Sequence, residues 1–369
     1  MGPYDKIIAI DLGKFKSVCC IADVAAGVHA FETVQTTPQV LRELLVRHRS
    51  PDGSRTAVVF ETCDTSGWVH DLCVELGCVA LVANPRGEAW HWRRVKRKTD
   101  RDDALKLLKL TLNNDLPTVH MPPPAQRQKR RLILHRRSVV ARRTMSRCGI
   151  RSIYSQQGLS LARGNKQWTR AGVADLAKDA KPLEECDVSE LWRGRLHVEL
   201  QLIETLDKQI KLLDAKLDAL ADEKCELLQS VKGVGPRTAE AVVAYLDDPR
   251  RFKNGDHVAG YAGLVPKQIE SGEMSRFGHI TRHGPGLLRS LLVEAAWMVY
   301  RLNPWAQHFV EKVSRGGKGR RKLGIVALAR KLLVILWAML RDNKPFKEPG
   351  EPFKEPGTQP STPDAILMT

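Results

Sequence analysis

Residues 6–23 read KIIAIDLGKFKSVCCIAD. An apolar run from Ile7 to Ile10 ends in Asp11, turns at Gly13 and resumes from Val18 to Ala22. Two such runs joined by a short turn predict a strand pair with a carboxylate at the end of the first strand. VHAFETV (28–34) adds a third strand, so residues 6 to 34 predict a three-stranded meander. PQVLRELLVRHR (38–49) then shows helical periodicity, with Pro38 near its start. TAVVFE (56–61) is a fourth strand, TSGWVHDLCVELG (65–77) a helix ended by Gly77, and CVALVANP (78–85) a fifth strand. A meander followed by alternating helices and strands predicts a mixed sheet flanked by helices.

Carboxylates sit at telling positions in this pattern. Asp11 and Glu61 end two strands, and Asp100 and Asp103 open a helix over 101–113, within KTDRDDALKLLKL. Asp100 and Asp103 are three apart and so share a helix face, whereas Asp102 points elsewhere. Four like charges brought together need cations to neutralise them. Mg²⁺ prefers oxygen ligands and substrate phosphates, and two ions would activate one oxygen and stabilise the leaving one. The competing reading is structural: Asp11 and Glu61 cap loops, and Asp100 is the helix N-cap.

The bulk composition points the same way. The chain has 369 residues, with 59 Lys and Arg against 42 Asp and Glu, for a net charge of +17. Such an excess speaks to a polyanionic partner rather than to the fold. No stretch reaches the roughly 18 unbroken apolar residues of a spanning helix, and the N-terminus lacks a signal-peptide layout. A cytoplasmic, DNA-associated protein with no membrane partner is expected. The eight cysteines form no CxxC pair, so they read as reduced, partly buried thiols rather than as a zinc site.

Residues 116 to 174 contain no acidic residue, and 127 to 151 carry ten Lys or Arg. Unbalanced charges of one sign suggest nucleic-acid binding, here by Arg130, Arg131, Arg136 and Arg137. A helical core with Leu132, Leu134, Val139 and Val140 is possible there. EAWHWRRVKRK (88–98) adds Arg93, Arg94, Lys96, Arg97 and Lys98 as phosphate contacts. Its Trp90 and Trp92 suit either base stacking or core packing.

A long helix is predicted over 187–228, with Asp187 and Glu190 as a capping pair. Leu196, Ile203, Ile210 and Leu217 repeat every seven residues, as do Leu206, Leu213, Leu220 and Leu227. These are coiled-coil a and d positions, serving either an antiparallel pair within the chain or a dimer between chains. LLQSVKGVGPRTAEAVVAYL (227–246) reads as a helix-hairpin-helix. In it Lys232, Gly233 and Gly235 let backbone N–H groups approach a phosphate; an ordinary tight turn is the alternative.

Residues 255–290 look loop-rich, and helices follow over 286–301, 304–314 and 322–341. His279 and His283 are four apart, but the intervening residues favour phosphate contact over metal. GGKGRRK (316–322), including Arg320 and Arg321, is a further phosphate-binding run. The tail repeats PFKEPG and predicts a disordered extension.

IAIDLGKFKSVCCIAD resembles the first hairpin of an RNase H-like (Holliday-junction-resolvase-like) domain. KTDRDDALKL, after NPRGEAWHWRRVKR, is similar to a signature of the DEDD insertion-sequence transposases: family one-ten with its eleven-eleven group, the bridge-RNA-guided serine recombinases. LLQSVKGVGPRTAEAVVAYL and FKNGDHVAGYAGLVPKQIESGEMSRFGHITRHGPGLLRSLLVEAAW resemble that family's C-terminal transposase domain. The likeness covers roughly residues 6 to 341.

The resemblance implies that Asp11, Glu61, Asp100 and Asp103 form a metal-binding tetrad and that Ser271, in the Glu270-Ser271-Gly272 loop, is the nucleophile. The residues alone would not single out Ser271, since a Ser-Gly pair is usually a turn. Lys267, Arg276, Arg282, His283 and Arg289 nearby do favour phosphate.

The implied fold is α/β plus α. It comprises an RNase H-like DEDD domain (1–115), basic nucleic-acid-binding helices (116–186), a coiled coil (187–226), a helical C-terminal domain with the helix-hairpin-helix and the serine (227–343), and the tail (344–369). The implied function is that of a transposase that cuts and rejoins donor and target DNA, guided by a non-coding bridge RNA. An extended helix of about forty residues would be roughly 60 Å long. Such a span predicts a dimer or tetramer in which Ser271 serves the tetrad of a partner chain. The alternative is a Mg²⁺-dependent junction endonuclease that uses water.

Overall fold

The computed structural model describes residues 3–85, 99–271 and 274–347, with the side chains of 269–271, 274–277 and 318 excepted. The chain divides into two compact units, Met1–Arg127 and Gln128–Thr369.

The first unit carries β1 (Lys6–Asp11), β2 (Lys16–Asp23), β3 (Val28–Gln35), α1 (Pro38–His48), β4 (Thr56–Glu61), α2 (Ser66–Glu75), β5 (Val79–Ala83) and α3 (Asp100–Leu112). The sheet order is β3-β2-β1-β4-β5. β1, β2 and β3 pair antiparallel, whereas β4 lies parallel to both β1 and β5. This mixed sheet fits an RNase H-like transposase domain. Both faces are covered, so β1 and β4 are unbroken apolar runs. Ile8, Ile10, Val58 and Phe60 pack on one face with Leu41, Leu44 and Leu45 of α1 and Val69, Leu72 and Cys73 of α2. Ile7, Ala9, Ala57 and Val59 pack on the other with Ala104, Leu107 and Leu108 of α3. All eight cysteines are free thiols, five of them buried. Burial pushes Cys19 up to about 12 and Cys20 to about 11.

α4 (Pro124–Gln156) leads into the second unit, followed by α5 (Arg170–Asp179), α6 (Leu191–Ala219), α7 (Glu223–Gln229), α8 (Pro236–Leu246) and α9 (Gly255–Tyr261). A hairpin of β6 (Pro266–Ser271) and β7 (Met274–Ile280) precedes α10 (Gly286–Leu302), α11 (Pro304–Ser314) and α12 (Arg321–Asp342). The stretch read as loop-rich therefore contains a short helix and an antiparallel strand pair.

α4 and α6 pack antiparallel within the chain. Ile150 and Tyr154 meet Leu196 and Ile203, Val139 meets Leu206 and Ile210, and Ile133 shares a cluster with Leu217. The heptad positions Leu196, Ile203, Leu206, Ile210 and Leu217 are thus covered inside one chain. The Lys129 ammonium donates to the Leu220 carbonyl at 3.3 Å, closing the base of the pair. The forecast span of some 60 Å is corrected on this point, because the chain doubles back. Of the residues expected to build the α4 core, Val139 is buried but Leu134 is 47% exposed, and Ile133 takes the inward position instead.

The single helix forecast over 187–228 is also corrected. It breaks after Leu220, where the Asp222 carboxylate accepts the Cys225 N–H at 3.2 Å and starts α7. At its other end Asp187 accepts from the Ser189 and Glu190 amides. Glu190 makes no cap bond; it pairs with Lys181 and Arg193.

α12 is long and apolar enough to cross a membrane by length and composition, contrary to expectation. Its Leu328, Leu332, Leu333 and Leu336 are nonetheless fully buried, and they join α8 and α10 in the largest hydrophobic cluster. It is packed as a core helix.

Candidate active site

Asp11 and Glu61 end parallel neighbours whose last paired rung is Ile10 with Phe60. The alternation of a strand carries Asp11 onto the face of Ile7 and Ala9, and Glu61 onto that of Ala57 and Val59. That is the face α3 covers. On α3, Asp103 lies one turn before Leu107, and Asp100 one turn before Ala104. Both therefore continue the buried stripe of α3 toward its N-terminus. Asp11, Glu61 and Asp103 are half-buried, and Asp100 is exposed.

The local cap decides which acid of TDRDD is structural. Thr99 is the N-cap, and its hydroxyl accepts the Asp102 N–H at 3.3 Å. The Asp102 carboxylate in turn accepts the Thr99 N–H at 3.0 Å and its hydroxyl at 2.7 Å. These bonds hold the Asp102 carboxyl below its usual range. The N-cap role considered for Asp100 thus belongs to Thr99, and the capping box takes the middle carboxylate.

The four carboxylates form an oxygen-only donor set, which suits a hard divalent cation. Among the described residues, no three His, Cys, Asp or Glu side chains converge to hold an ion. Asp11 and Glu61 share one face of the sheet, and Asp100 and Asp103 share one side of the helix that covers that face, without closing on a common point.

Ser271 is the last residue of β6 and pairs with Met274 of β7; Ile269 pairs with Arg276. The serine is therefore at a strand end rather than within a loop. Past β7, Arg282 adopts a positive φ of 56° and is exposed, as are His279 and His283. Arg289 is committed internally, donating to the Ala262 carbonyl at 2.8 Å and the His283 carbonyl at 3.0 Å.

The expected nucleic-acid contacts divide by partner. Arg93, Arg94, Lys96, Arg97, Lys98, Trp90 and Trp92 lie outside the described residues, as does most of the tail. Arg130 donates to the Ala244 and Tyr245 carbonyls at 2.8 and 3.0 Å. Arg136 grips Asp214 with two bonds of 2.6 and 3.1 Å, Arg143 donates to Asp207 at 2.6 Å, and Arg137 pairs with Glu294 at 3.1 Å. The reading of α4 as unbalanced charge is corrected: acids of α6 and α10 neutralise part of it, and backbone carbonyls of α8 accept the hydrogen bonds of Arg130. The signal was present in the spacing. Arg136 and Arg143 are seven apart, as are Asp207 and Asp214, which matches antiparallel helices. Arg131, Lys232, Arg320 and Arg321 are exposed.

α7 and α8 flank the Lys232–Gly235 turn. Gly233 has φ +102°, and a Cβ there would lie 2.7 Å from the Val299 nitrogen. The Lys232 carbonyl accepts from Asn303 at 2.8 Å. Gly233 is thus spent on packing against α10. Gly235, the N-cap of α8, is open, with nothing within 4 Å of a Cβ built there.

Residues 8–156 match a family described as Transposase, of the DEDD IS110 type. Residues 225–311 match one described as Transposase IS116/IS110/IS902 family. A "Probable family 20 transposase" of Pseudomonas aeruginosa is 32% identical over 292 residues, covering 77% of this chain and 83% of that protein. The "Transposase for insertion sequence element IS1111A" of Coxiella burnetii is 26% identical over 310 residues, covering 74% of this chain and 80% of that protein. A "Pilin gene-inverting protein" of Moraxella lacunata is 34% identical over 125 residues, covering 33% of this chain and 38% of that protein.

Proposed function

The chain belongs to the IS116/IS110/IS902 family of transposases, and on that premise we propose that it cuts and rejoins DNA strands with a DEDD tetrad and a serine nucleophile. It is a DNA transposase, and its DEDD domain implies a divalent metal. The observation that supports the reading is that Asp11 and Glu61 end neighbouring parallel strands on the sheet face that α3 covers.

Asp11, Glu61, Asp100 and Asp103 would hold the cation, Mg²⁺ as a pair of ions. It would supply charge neutralisation and Lewis-acid polarisation at the scissile phosphate. The residues of the chain do the rest. The Ser271 hydroxyl loses its proton and its Oγ forms a bond to phosphorus, while one bridging P–O bond of the strand breaks. The departing sugar oxygen takes up a proton. A sugar hydroxyl from the recombining strand then attacks the phosphoserine, releasing Ser271 and reforming one P–O bond. The number of phosphate ester bonds is conserved, so no energy source is needed. Lys232, Gly235, Arg131, Arg276, Arg282, Arg320 and Arg321 are the phosphate contacts this reading assigns.

The same reading divides the work along the sequence. Residues 1–115 hold the phosphate, 116–186 bind nucleic acid, 187–226 space the parts, and 227–343 carry the serine. The partners are donor and target DNA and a non-coding bridge RNA. The working unit is a dimer or tetramer, with Ser271 of one chain serving the tetrad of another.

Ser271→Ala tests the chemistry. With Mg²⁺ and supercoiled DNA bearing the ends of the element, the wild-type protein should form a denaturant-resistant protein–DNA adduct and Ser271→Ala none. Cleavage retained in Ser271→Ala without adduct would establish the water-using endonuclease instead. Mixing Ser271→Ala with Asp11→Asn should restore activity if the serine acts across chains; no complementation would sink that part.

A further inference from the structure

Phe15 is 76% exposed, the only phenylalanine in that exposed class among the described residues. A lone exposed apolar side chain is ordinary. This one is distinguished by where it stands and how firmly it is held. It lies in the turn that joins Asp11 of β1 to Lys16 of β2. Asp11 and Glu61 end their strands at this same end of the sheet. Four residues of chain limit the Asp11–Phe15 separation to roughly 14 Å.

The turn is tied on both sides. A Cβ on Gly13 would fall 2.2 Å from the Lys16 carbonyl oxygen, so the chain closes tightly at that point. The Phe15 carbonyl accepts the Thr36 N–H at 2.9 Å. The hydroxyls of Thr36 and the fully buried Ser17 lie 2.7 Å apart. An aromatic ring on a backbone fixed in this way loses little entropy on contact. Cations surround it: the Lys14 ammonium lies 5.2 Å from the ring centroid, and Lys14 and Lys16 are both exposed. The other strongly exposed hydrophobics of this unit, Val28, Val46, Val74 and Leu112, belong to other elements, so Phe15 is not part of a continuous apolar run.

A rigid ring with cations next to it, at the sheet end where Asp11 and Glu61 end their strands, matches one ligand class. We infer that Phe15 stacks on an unpaired nucleobase next to the scissile phosphate, with Lys14 and Lys16 on the flanking phosphates. The inference rests on the strand-transfer reading, in which bases at the cut must leave their partners before strands exchange. Stacking on an aromatic face tolerates any base, so this contact would hold the opened strand without reading its sequence.

The test compares two fluorescein-labelled duplexes of equal length, one fully paired and one with a central bubble of unpaired thymines. Binding is followed by anisotropy with EDTA present, so that nothing is cut. Wild-type protein should prefer the bubble. Phe15→Ala and Phe15→Leu should each lose on the order of 5- to 100-fold in affinity for the bubble and little for the paired duplex. Phe15→Trp should keep the preference. Unchanged bubble binding by Phe15→Ala overturns the inference. So does full retention by Phe15→Leu, which would mean that apolar bulk rather than ring stacking carries the contact. A wild-type protein that binds neither duplex overturns both the inference and the reading beneath it.

Discussion

Asp11 and Glu61 end adjacent parallel strands just past the Ile10–Phe60 pair, on the sheet face that α3 covers. Neighbouring carboxylates at that edge offer an oxygen-only donor set that suits a cation. Asp11→Asn and Glu61→Gln should each lower strand cleavage by about a thousandfold or more, the scale of several kcal/mol of lost metal-assisted stabilisation. Affinity for DNA in EDTA should be unchanged. Asp102→Asn serves as the control within the same helix turn. Its side chain still accepts from Thr99, so cleavage should stay within a fewfold of wild type in a Mg²⁺-dependent nicking assay.

Two arginines of α4 should separate structural from substrate-facing charge. Arg143 is held by Asp207, whereas Arg131 is exposed on the same helix. Arg143→Ala should reduce stability by up to about 1 kcal/mol and leave DNA affinity alone. Arg131→Ala should do the reverse, keeping the urea midpoint and reducing the log–log salt slope of DNA binding by about 1. Equal effects of the two changes on both readouts would refute the division.

The Lys232–Gly235 turn makes a contrast between its two glycines. Gly233→Ala forces a side chain into positive φ and into the backbone of Met298 and Val299. A loss of about 2 kcal/mol or more in urea unfolding is expected from strain and displaced packing together. Gly235→Ala meets nothing within 4 Å and replaces only a glycine N-cap. It should cost no more than about 1 kcal/mol, less than Gly233→Ala, so an effect on DNA binding can be read apart from a folding defect.

Glu240 on α8 gives the unit a pH dependence. It is 7% exposed, and burial pushes its carboxyl up to about 7 from the ordinary 4.5, against the opposing pull of Arg237. Since the folded state holds this proton more tightly, the stabilisation is fully present below pH 4.5 and is lost as pH rises through 7. Glu240→Gln removes the charge while Arg237 keeps Asp214 and Asp218. Its melting temperature should exceed that of the wild type at pH 8 and not at pH 4.5, with up to about 3 kcal/mol between the two conditions. A pH-independent difference would show that Glu240 is ionised throughout.

The sheet was legible because burial on both faces writes itself as unbroken apolar runs, and the carboxylates at their ends stand out against Ile10 and Phe60. That Asp102 lies apart from Asp100 and Asp103 was legible from helical spacing, with Thr99 supplying the cap that spacing could not name. Two things were hidden. The heptad leucines run on through Leu220 and Leu227, so periodicity forecast one helix where the local bonds of Asp222 start a second. The β6–β7 hairpin carries Lys267 and Gln268 on exposed positions, so no apolar alternation announced it. Ser271 falls at its end, and only likeness to a family singled that serine out.

The antiparallel pairing of α4 and α6 has a consequence for insertions and deletions. Both arms rise by the same amount per residue, so removing equal numbers of turns from each leaves the Lys129–Leu220 closure where it was. An unmatched deletion puts Arg136 and Arg143 out of step with Asp214 and Asp207. Arm length is therefore free to drift in paired increments while the segments entering and leaving it keep their spacing, making reach an evolvable dimension separate from the chemistry.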